Sequence, residues 1–273
     1  MLPESELRAI AHEIKTAQEQ ARQIEPFSSQ RDNFDLASAY AVAHLNHMAR
    51  VAEGAIPVGR KIGFTNSQMW TRYGVSGPVW AHIYDKTVER LDSTRTACAL
   101  GALTEPKIEP EIVLHFAKAP PADGNVAEIL ECIDWIAHAF EIVQCHFPGW
   151  QFQAADTVAD QALHGTLLVG EPQAVEQFGK DLIDDLASFS IALARNNLLR
   201  ETGTGSNVLG SPLAAVAHLM ALLDKQPRYR PLQAGEIVTT GTLTAAYPVR
   251  AGETWRTELE GIALPGLSVE FHD

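Results

Sequence analysis

Cysteine is scarce in this chain. Its 273 residues include three, Cys98, Cys132 and Cys145, and none belongs to a Cys-x-x-Cys pair. An odd, scattered set excludes a disulfide framework or a zinc ribbon and suits a reducing, cytoplasmic setting. Positive charge is also in deficit: 21 Lys and Arg stand against 34 Asp and Glu, a formal net charge of −13. That balance leaves no basic footprint for nucleic acid, and an anionic substrate would need a cation or local Lys and Arg groups to hold it. No apolar run reaches about 18 residues, so no membrane span is expected. The opening Met-Leu-Pro-Glu-Ser-Glu is acidic, unlike a secretory leader. Internal repeats and low-complexity tracts are missing. The glycine-rich stretch 202–210 lacks both the third glycine of a dinucleotide fingerprint and the lysine of a phosphate loop.

What is present describes a globular protein. Hydrophobic residues make up 46% and charged residues 20%, enough for a substantial core. Residues 3–24 read as a helix, with Leu7, Ile10, Ala11 and Ile14 at helical spacing and Ser5 as its cap; 34–51 reads as a second. A short helix is expected at 66–73, a turn at 74–78, a longer helix at 125–138, and a last one from Ser211, with Pro212 in its first turn, to Asp224. Strands are expected at 58–65, 79–84, 107–116, 139–146, 182–199 with a turn at Asn196-Asn197, 237–243, 255–259 and 267–271. The pattern predicts an α+β fold. A helical segment, 1–55, would pack on a mostly β catalytic domain, 56–273.

The chemistry concentrates in Lys107-Ile-Glu-Pro-Glu-Ile-Val-Leu-His-Phe. Glu109 and Glu111 are two apart, and in a strand such residues point to one face. Pro110 cannot donate to a sheet ladder. The pair is therefore either two solvated glutamates on an exposed edge or a site for a hard cation with oxygen ligands. Glu141 sits in an apolar context and is either an edge glutamate or a third ligand. Lys61, between Gly59 and Gly63, is either a snorkelling edge residue or a desolvated functional ammonium. Asp156 and Asp160 either cap local backbone or line a site. His44 and His47 are three apart and read as helix-face histidines.

Taken in order, several pieces resemble one family. They are Gly59-Arg-Lys-Ile-Gly-Phe-Thr65, Ile108-Glu-Pro-Glu-Ile112, Phe140-Glu-Ile-Val143, Asp156-Thr-Val-Ala-Asp160, residues 165–170, Leu209-Gly-Ser-Pro-Leu213 and Ala234-Gly-Glu-Ile-Val238 with Gly241-Thr-Leu243. The chain is similar to the 2-keto-4-pentenoate hydratase and 4-oxalocrotonate decarboxylase group of the fumarylacetoacetate hydrolase superfamily. The resemblance implies a mixed β-roll core and Mg²⁺ or Mn²⁺ held by Glu109, Glu111 and Glu141, with Lys61 in the active site. It also implies a 2-oxo or 2-hydroxydienoic acid substrate and a homo-oligomer. His82 and Asp160 are candidate proton-transfer groups, and Gln161 and Thr242, with Lys61, candidate substrate contacts. His115 and His164 are unusual extras that could also move a proton. Two departures stand out. An acidic position of the family's hydratases is Val79 here, and its Ala-Asp-Asn-Ala-Ser is Ala159-Asp-Gln-Ala-Leu163. The expected activity is hydration of a 2-hydroxy-2,4-dienoate. Decarboxylation or C–C hydrolysis of a related keto acid is the alternative, and a non-catalytic keto-acid-binding relative is a third reading.

Overall fold

The N-terminal layer forms because its helices are one-sided. In the computed structural model, which describes all residues except 68, 69 and 74 and only the backbone at 72 and 73, α1 (Glu4–Glu19), α2 (Phe27–Gln30) and α3 (Leu36–Ala52) come first. Helix α1 buries Leu7, Ile10, Ala11, Ile14 and Ala17 along one stripe. It stops short of residue 24, and Pro3 occupies the cap position in place of Ser5. In α3 the Asp35 carboxylate accepts from the Ser38 backbone N–H at 2.8 Å, an N-cap that satisfies one orphan donor. The stripe packs with Val143, Phe147 and Val158 in one apolar cluster, joining the layer to the core.

The chain continues through β1 (Pro57–Gly63), α4 (Trp70–Tyr73), β2 (Val79–Tyr84), β3 (Val88–Arg90), β4 (Arg95–Ala99), β5 (Lys107–Phe116), α5 (Val126–Leu130), β6 (Ile133–Val143), α6 (Ala154–Ala159), β7 (His164–Val169) and β8 (Gln173–Ala174). Then follow α7 (Leu182–Ser188), β9 (Ser190–Arg195), β10 (Leu198–Thr204), α8 (Pro212–Asp224), β11 (Ile237–Thr239), β12 (Tyr247–Pro248), β13 (Thr254–Glu260) and β14 (Ser268–His272). Two mixed sheets result. One runs β2-β1-β11-β5-β6-β7-β3, with β12 on β5 and β8 on β6; the other runs β10-β9-β13-β14-β4. Ile108, Phe140 and Leu168 of the first pack against Leu193, Trp255 and Phe271 of the second.

Two expected elements change type. The helix expected over 125–138 is only the short α5, and Ile133 onward is strand β6. Ile133 and Ile136 fit a helical stripe, but a long ladder with β5 wins the segment. The strand expected over 182–199 begins as α7, which buries Leu182 and Leu186 four apart. Phe189, Ile191 and Leu193 do alternate, and Asn196 and Asn197 turn the hairpin at φ 50° and 63°. The expected strand 237–243 is paired only over Ile237–Thr239. The helix expected at 66–73 and the turn at 74–78 fall partly outside the described residues.

One stretch, Gly205–Asp224, is long and apolar enough to cross a membrane, with a mean hydropathy of 1.5. Within it α8 buries Leu213, Val216, Leu219 and Leu223 in the largest core cluster. It behaves as a core helix.

Candidate metal and substrate site

Strand β5 is central, not an edge. Pro110 is tolerated because its missing N–H falls between the stretch paired with β12 (Lys107, Ile108) and that paired with β11 (Val113 to His115). Ile108, Ile112, Leu114 and Phe116 face the core, and Glu109 and Glu111 take the opposite face. The β5–β6 register sets Glu141 directly across from Glu109. The β1–β11 register sets Lys61 beside Thr239. Strand pairing thus gathers four charged side chains that are far apart in sequence.

One ligand oxygen from each of Glu109, Glu111 and Glu141 lies within 4.8 Å of the other two. Glu111 and Glu141 are 1% and 0% exposed; Lys61 is 3% exposed. Each of the two buried carboxylates has one oxygen tied down. Glu141 Oε1 accepts from Lys61 Nζ at 2.8 Å and pairs with His164 Nδ1 at 2.7 Å. Glu111 Oε2 accepts from the Thr239 hydroxyl and from the Gly241 N–H at 2.9 Å. The other oxygens, Glu111 Oε1 and Glu141 Oε2, are buried and have no hydrogen-bond partner. An unpaired buried carboxylate oxygen costs several kcal/mol, and two of them converge here. An all-oxygen donor set of this kind fits a hard divalent cation such as Mg²⁺, Mn²⁺ or Ca²⁺.

The protonation tendencies agree. Burial, added to repulsion from Glu141, raises Glu109 to about 7 against the opposing pull of Lys61. Burial and the two neighbouring carboxylates hold Glu111 well above the usual range. Burial also acts upward on Glu141, but Lys61 and His164 outweigh it and bring it down to about 2. Burial disfavours the Lys61 ammonium, yet the three carboxylates raise its pKa. Three carboxylates and one ammonium carry a net −2 when ionised, the charge a divalent cation neutralises.

Around this centre lies an open cleft. Its wall is largely apolar: Phe64, Val143, Trp150, Phe152 and Leu163 contribute. Among the described lining residues Lys61 is the only cation. Thr65 lines the cleft with a buried hydroxyl that has no partner. Gly241 must be glycine: its φ is +93°, and a Cβ there would sit 1.8 Å from Thr65 Oγ1.

The structure does not bring every expected residue to the cleft. Thr242 lines it, its hydroxyl donating to the Thr244 carbonyl at 2.9 Å. His82 does not. It pairs in register with Arg60, so side-chain alternation turns it to the face opposite Lys61. Asp160 is buried beneath the wall, bonded to His146 Nδ1 at 2.9 Å and accepting from Gln18 Nε2 at 2.8 Å. That makes it an anchor for the turn 160–163. Gln161 points away, donating to the His82 carbonyl at 3.2 Å. Asp156 caps α6 locally, accepting from Gln153 N at 2.8 Å. His115 pairs with Asp134 on the surface. Val79 is in the apolar core. Of the extra histidines only His164 reaches the centre, spanning Glu141 and, at 2.8 Å, the Thr87 hydroxyl. Thr65, Thr87, Thr239 and Gly241 were not singled out as site residues from the sequence. The one signal was the Thr-Gly-Thr turn closing a buried strand.

Fold and site together define a class: an α+β protein whose mixed sheet carries three clustered carboxylates beside a buried lysine, opening into an apolar cleft. The chain belongs to the fumarylacetoacetate hydrolase family, whose C-terminal-region profile matches residues 71–265. It is 31% identical over 256 residues to 2-keto-4-pentenoate hydratase 2 of Dechloromonas aromatica, covering 93% of this chain and 94% of that one. It is 28% identical to 2-hydroxyhexa-2,4-dienoate hydratase of Comamonas testosteroni, covering 92% of each. In structure it matches 4-oxalocrotonate decarboxylase from Pseudomonas putida G7, complexed with magnesium and adipate, at TM-score 0.88, 26% identity and 99% coverage of both chains. The resemblance and the expected fold class are borne out.

Proposed function

We propose that the protein is a divalent-metal-dependent hydro-lyase that adds water to a 2-hydroxy-2,4-dienoate arising in aromatic catabolism. The names of the relatives support this, and one observation carries it. Two unpaired buried carboxylate oxygens and Glu109 converge beside Lys61 at the floor of an apolar cleft. Glu109, Glu111 and Glu141 would hold Mg²⁺ or Mn²⁺. The bound metal would supply Lewis-acid polarisation of a 2-oxo acid's oxygens. Lys61 places positive charge at the floor, where it stabilises negative charge developing on the substrate's C2 oxygen. His164 and Thr87 keep Glu141 oriented. Thr65 and Thr242 offer hydroxyls to a polar substrate group, and Phe64, Trp150, Phe152 and Leu163 exclude water from the tail.

The second reading, decarboxylation of a 2-oxo diacid, is favoured by the match to a decarboxylase and by valine at position 79. It requires a place for a second carboxylate. The apolar wall, with Lys61 as the only cation among the described lining residues, weighs toward the monoacid dienoate. An ultraviolet assay with added Mg²⁺ decides. Metal-dependent loss of 2-hydroxypenta-2,4-dienoate absorbance, with the hydroxy-keto acid formed, is the expected result. Inertness toward the dienoate with CO₂ release from 2-oxo-hex-3-enedioate would replace hydratase by decarboxylase. Binding of either acid without turnover would leave a keto-acid-binding protein.

The same reading includes a cytoplasmic homo-oligomer. Free, buried thiols at Cys98, Cys132 and Cys145 fit a reducing compartment, and light scattering on the purified protein measures the assembly. It also includes a division into a helical segment, 1–55, and a catalytic domain, 56–273.

A further inference from the structure

Strand β7 breaks its register with β6 and so brings one side chain to the carboxylates. Glu141 stands opposite Leu167 and Ile142 opposite Thr166, but Val143 stands opposite His164, so Gly165 is an extra residue on β7. Directly opposed residues share a face, and alternation in an unbroken ladder would turn residue 164 away from Glu141. The extra residue turns it back, as a β-bulge does. Only glycine fits there: a Cβ on Gly165 would lie 2.4 Å from the Ile142 carbonyl oxygen.

The imidazole placed in this way is buried, its side chain 1% exposed, and held at both ends. An ionised carboxylate only accepts, so Nδ1 donates to Glu141 Oε1, at 2.7 Å; Nε2 meets the Thr87 hydroxyl at 2.8 Å. Thr87 is anchored in turn, its carbonyl accepting from the Thr166 hydroxyl at 3.3 Å. Lys61 meets the same Glu141 oxygen at 2.8 Å, but an ammonium on a flexible stem is a mobile point charge. A ring fixed at both nitrogens is not free to turn. His164 therefore immobilises Oε1 and leaves Oε2, which has no partner, as the oxygen on offer. Glu111 repeats the arrangement, with Oε2 tied to Thr239 and Gly241 and Oε1 unpartnered. Two of the three carboxylates thus present a single oxygen each.

The number of oxygens a carboxylate offers separates the hard cations. Ca²⁺ gathers about six to eight, often taking both oxygens of one carboxylate, whereas Mg²⁺ demands a tight octahedron and keeps several waters. We infer that His164 is a positioning residue for ion selectivity: by confining Glu141 to one-oxygen ligation, it biases the site toward a small octahedral cation such as Mg²⁺ and against Ca²⁺. The inference rests on the reading of Glu109, Glu111 and Glu141 as metal ligands.

The test is calorimetric titration of Mg²⁺ and of Ca²⁺ into the chelator-stripped, full-length protein. In His164→Ala, Mg²⁺ affinity should fall about tenfold or more while Ca²⁺ affinity holds or rises, so the ratio of the two moves about tenfold toward Ca²⁺. His164→Asn, whose amide can donate from near the Nδ1 position, should keep the wild-type ratio. A merely structural role would weaken both ions alike and leave the ratio unmoved. Near-ultraviolet circular dichroism reports whether each variant keeps its packing. Thr87→Val frees the far end of the ring at nearly constant shape; it should move the ratio in the same direction, and it decides if the alanine variant does not fold. An unchanged ratio in the folded variant, or a His164→Asn protein as tolerant of Ca²⁺ as the alanine variant, would overturn the role of His164 and leave the metal site standing. Binding of neither ion by the wild type would overturn the metal reading and this inference together.

Discussion

Replacing Glu109 by glutamine should stabilise this protein without metal and destabilise it with metal. Glutamine imitates the protonated carboxyl at nearly constant shape. In the metal-free protein burial and Glu141 raise Glu109 from 4.5 to about 7. A group whose folded pKa is raised contributes stability that is fully present below its unfolded pKa and lost as pH rises through the folded one. The window therefore runs from about pH 4.5 to about 7. At about 1.4 kcal/mol per pH unit, the wild-type carboxylate costs up to about 3 kcal/mol at pH 8, somewhat less because Glu109 keeps contact with the solvent of the cleft. For a chain of this length that is about 6 °C in melting temperature. Several buried histidines, His82, His138 and His164 among them, have lowered pKa values, and their contribution to stability changes with pH in the opposite sense. They are common to both proteins and cancel in the difference. Glu141, down at about 2, is ionised throughout the range.

The assay is thermal unfolding of wild type and Glu109→Gln at pH 5 and pH 8, with chelator and with excess Mg²⁺. Near-equal melting is expected at pH 5 with chelator. At pH 8 with chelator the variant should melt several degrees higher, and excess Mg²⁺ should reverse the order, since binding to the native state raises only the protein that keeps the site. A variant that melts at or below wild type at pH 8 with chelator, or that gains as much from Mg²⁺, would refute the shared buried volume of the three carboxylates.

Glu141→Gln should behave differently from Glu109→Gln. It leaves the Lys61 ammonium buried without its 2.8 Å partner, so metal-free stability should fall by about 3–5 kcal/mol along with the Mg²⁺ response; calorimetry and melting check both, and a metal-free Tm equal to wild type would speak against the pair. Lys61→Met should keep its Mg²⁺-dependent thermal shift while turnover drops on the order of a hundredfold; retained turnover removes Lys61 from the chemistry. Gly241→Ala places a methyl 1.8 Å from Thr65 Oγ1 at a backbone φ of +93°. Displacing the Gly241 N–H from Glu111 should weaken Mg²⁺ binding about tenfold or more, and unchanged metal affinity would mean that the turn does not position Glu111.

The parts of the fold that could be read from the chain are those where local pattern and tertiary need agree. The stripe of Leu7, Ile10, Ala11 and Ile14 and the Ser211-Pro212 helix start were legible because their helices obey the 3.6-residue period. Residues 133–138 were misread because Ile129, Ile133 and Ile136 satisfy a helical stripe and also a strand. Only the long β5 ladder, which is non-local, decides between them. Residues 182–188 failed for the complementary reason: Leu182 and Leu186 are too few to register a helix beside the clear alternation that follows.

The site divides along the same line. Glu109 and Glu111 were readable because a two-residue spacing fixes a common face in any strand. The choice between edge and centre was not, since Pro110 favours an edge unless a gap between two neighbouring strands happens to fall opposite it. Glu141 and Lys61 stood out by their apolar or glycine-flanked context but stayed open between edge residue and functional group until the resemblance, because no local rule sets a residue across a sheet register. His82 shows the limit of that approach. It lies near Lys61 in the sheet, yet pairing with Arg60 turns it to the other side, where the structure builds a separate ring-lined cavity. Adjacent positions on one strand thus serve two different spaces. Lys61 faces three carboxylates, while Arg60 on the other face pairs with Glu236 at 2.6 Å.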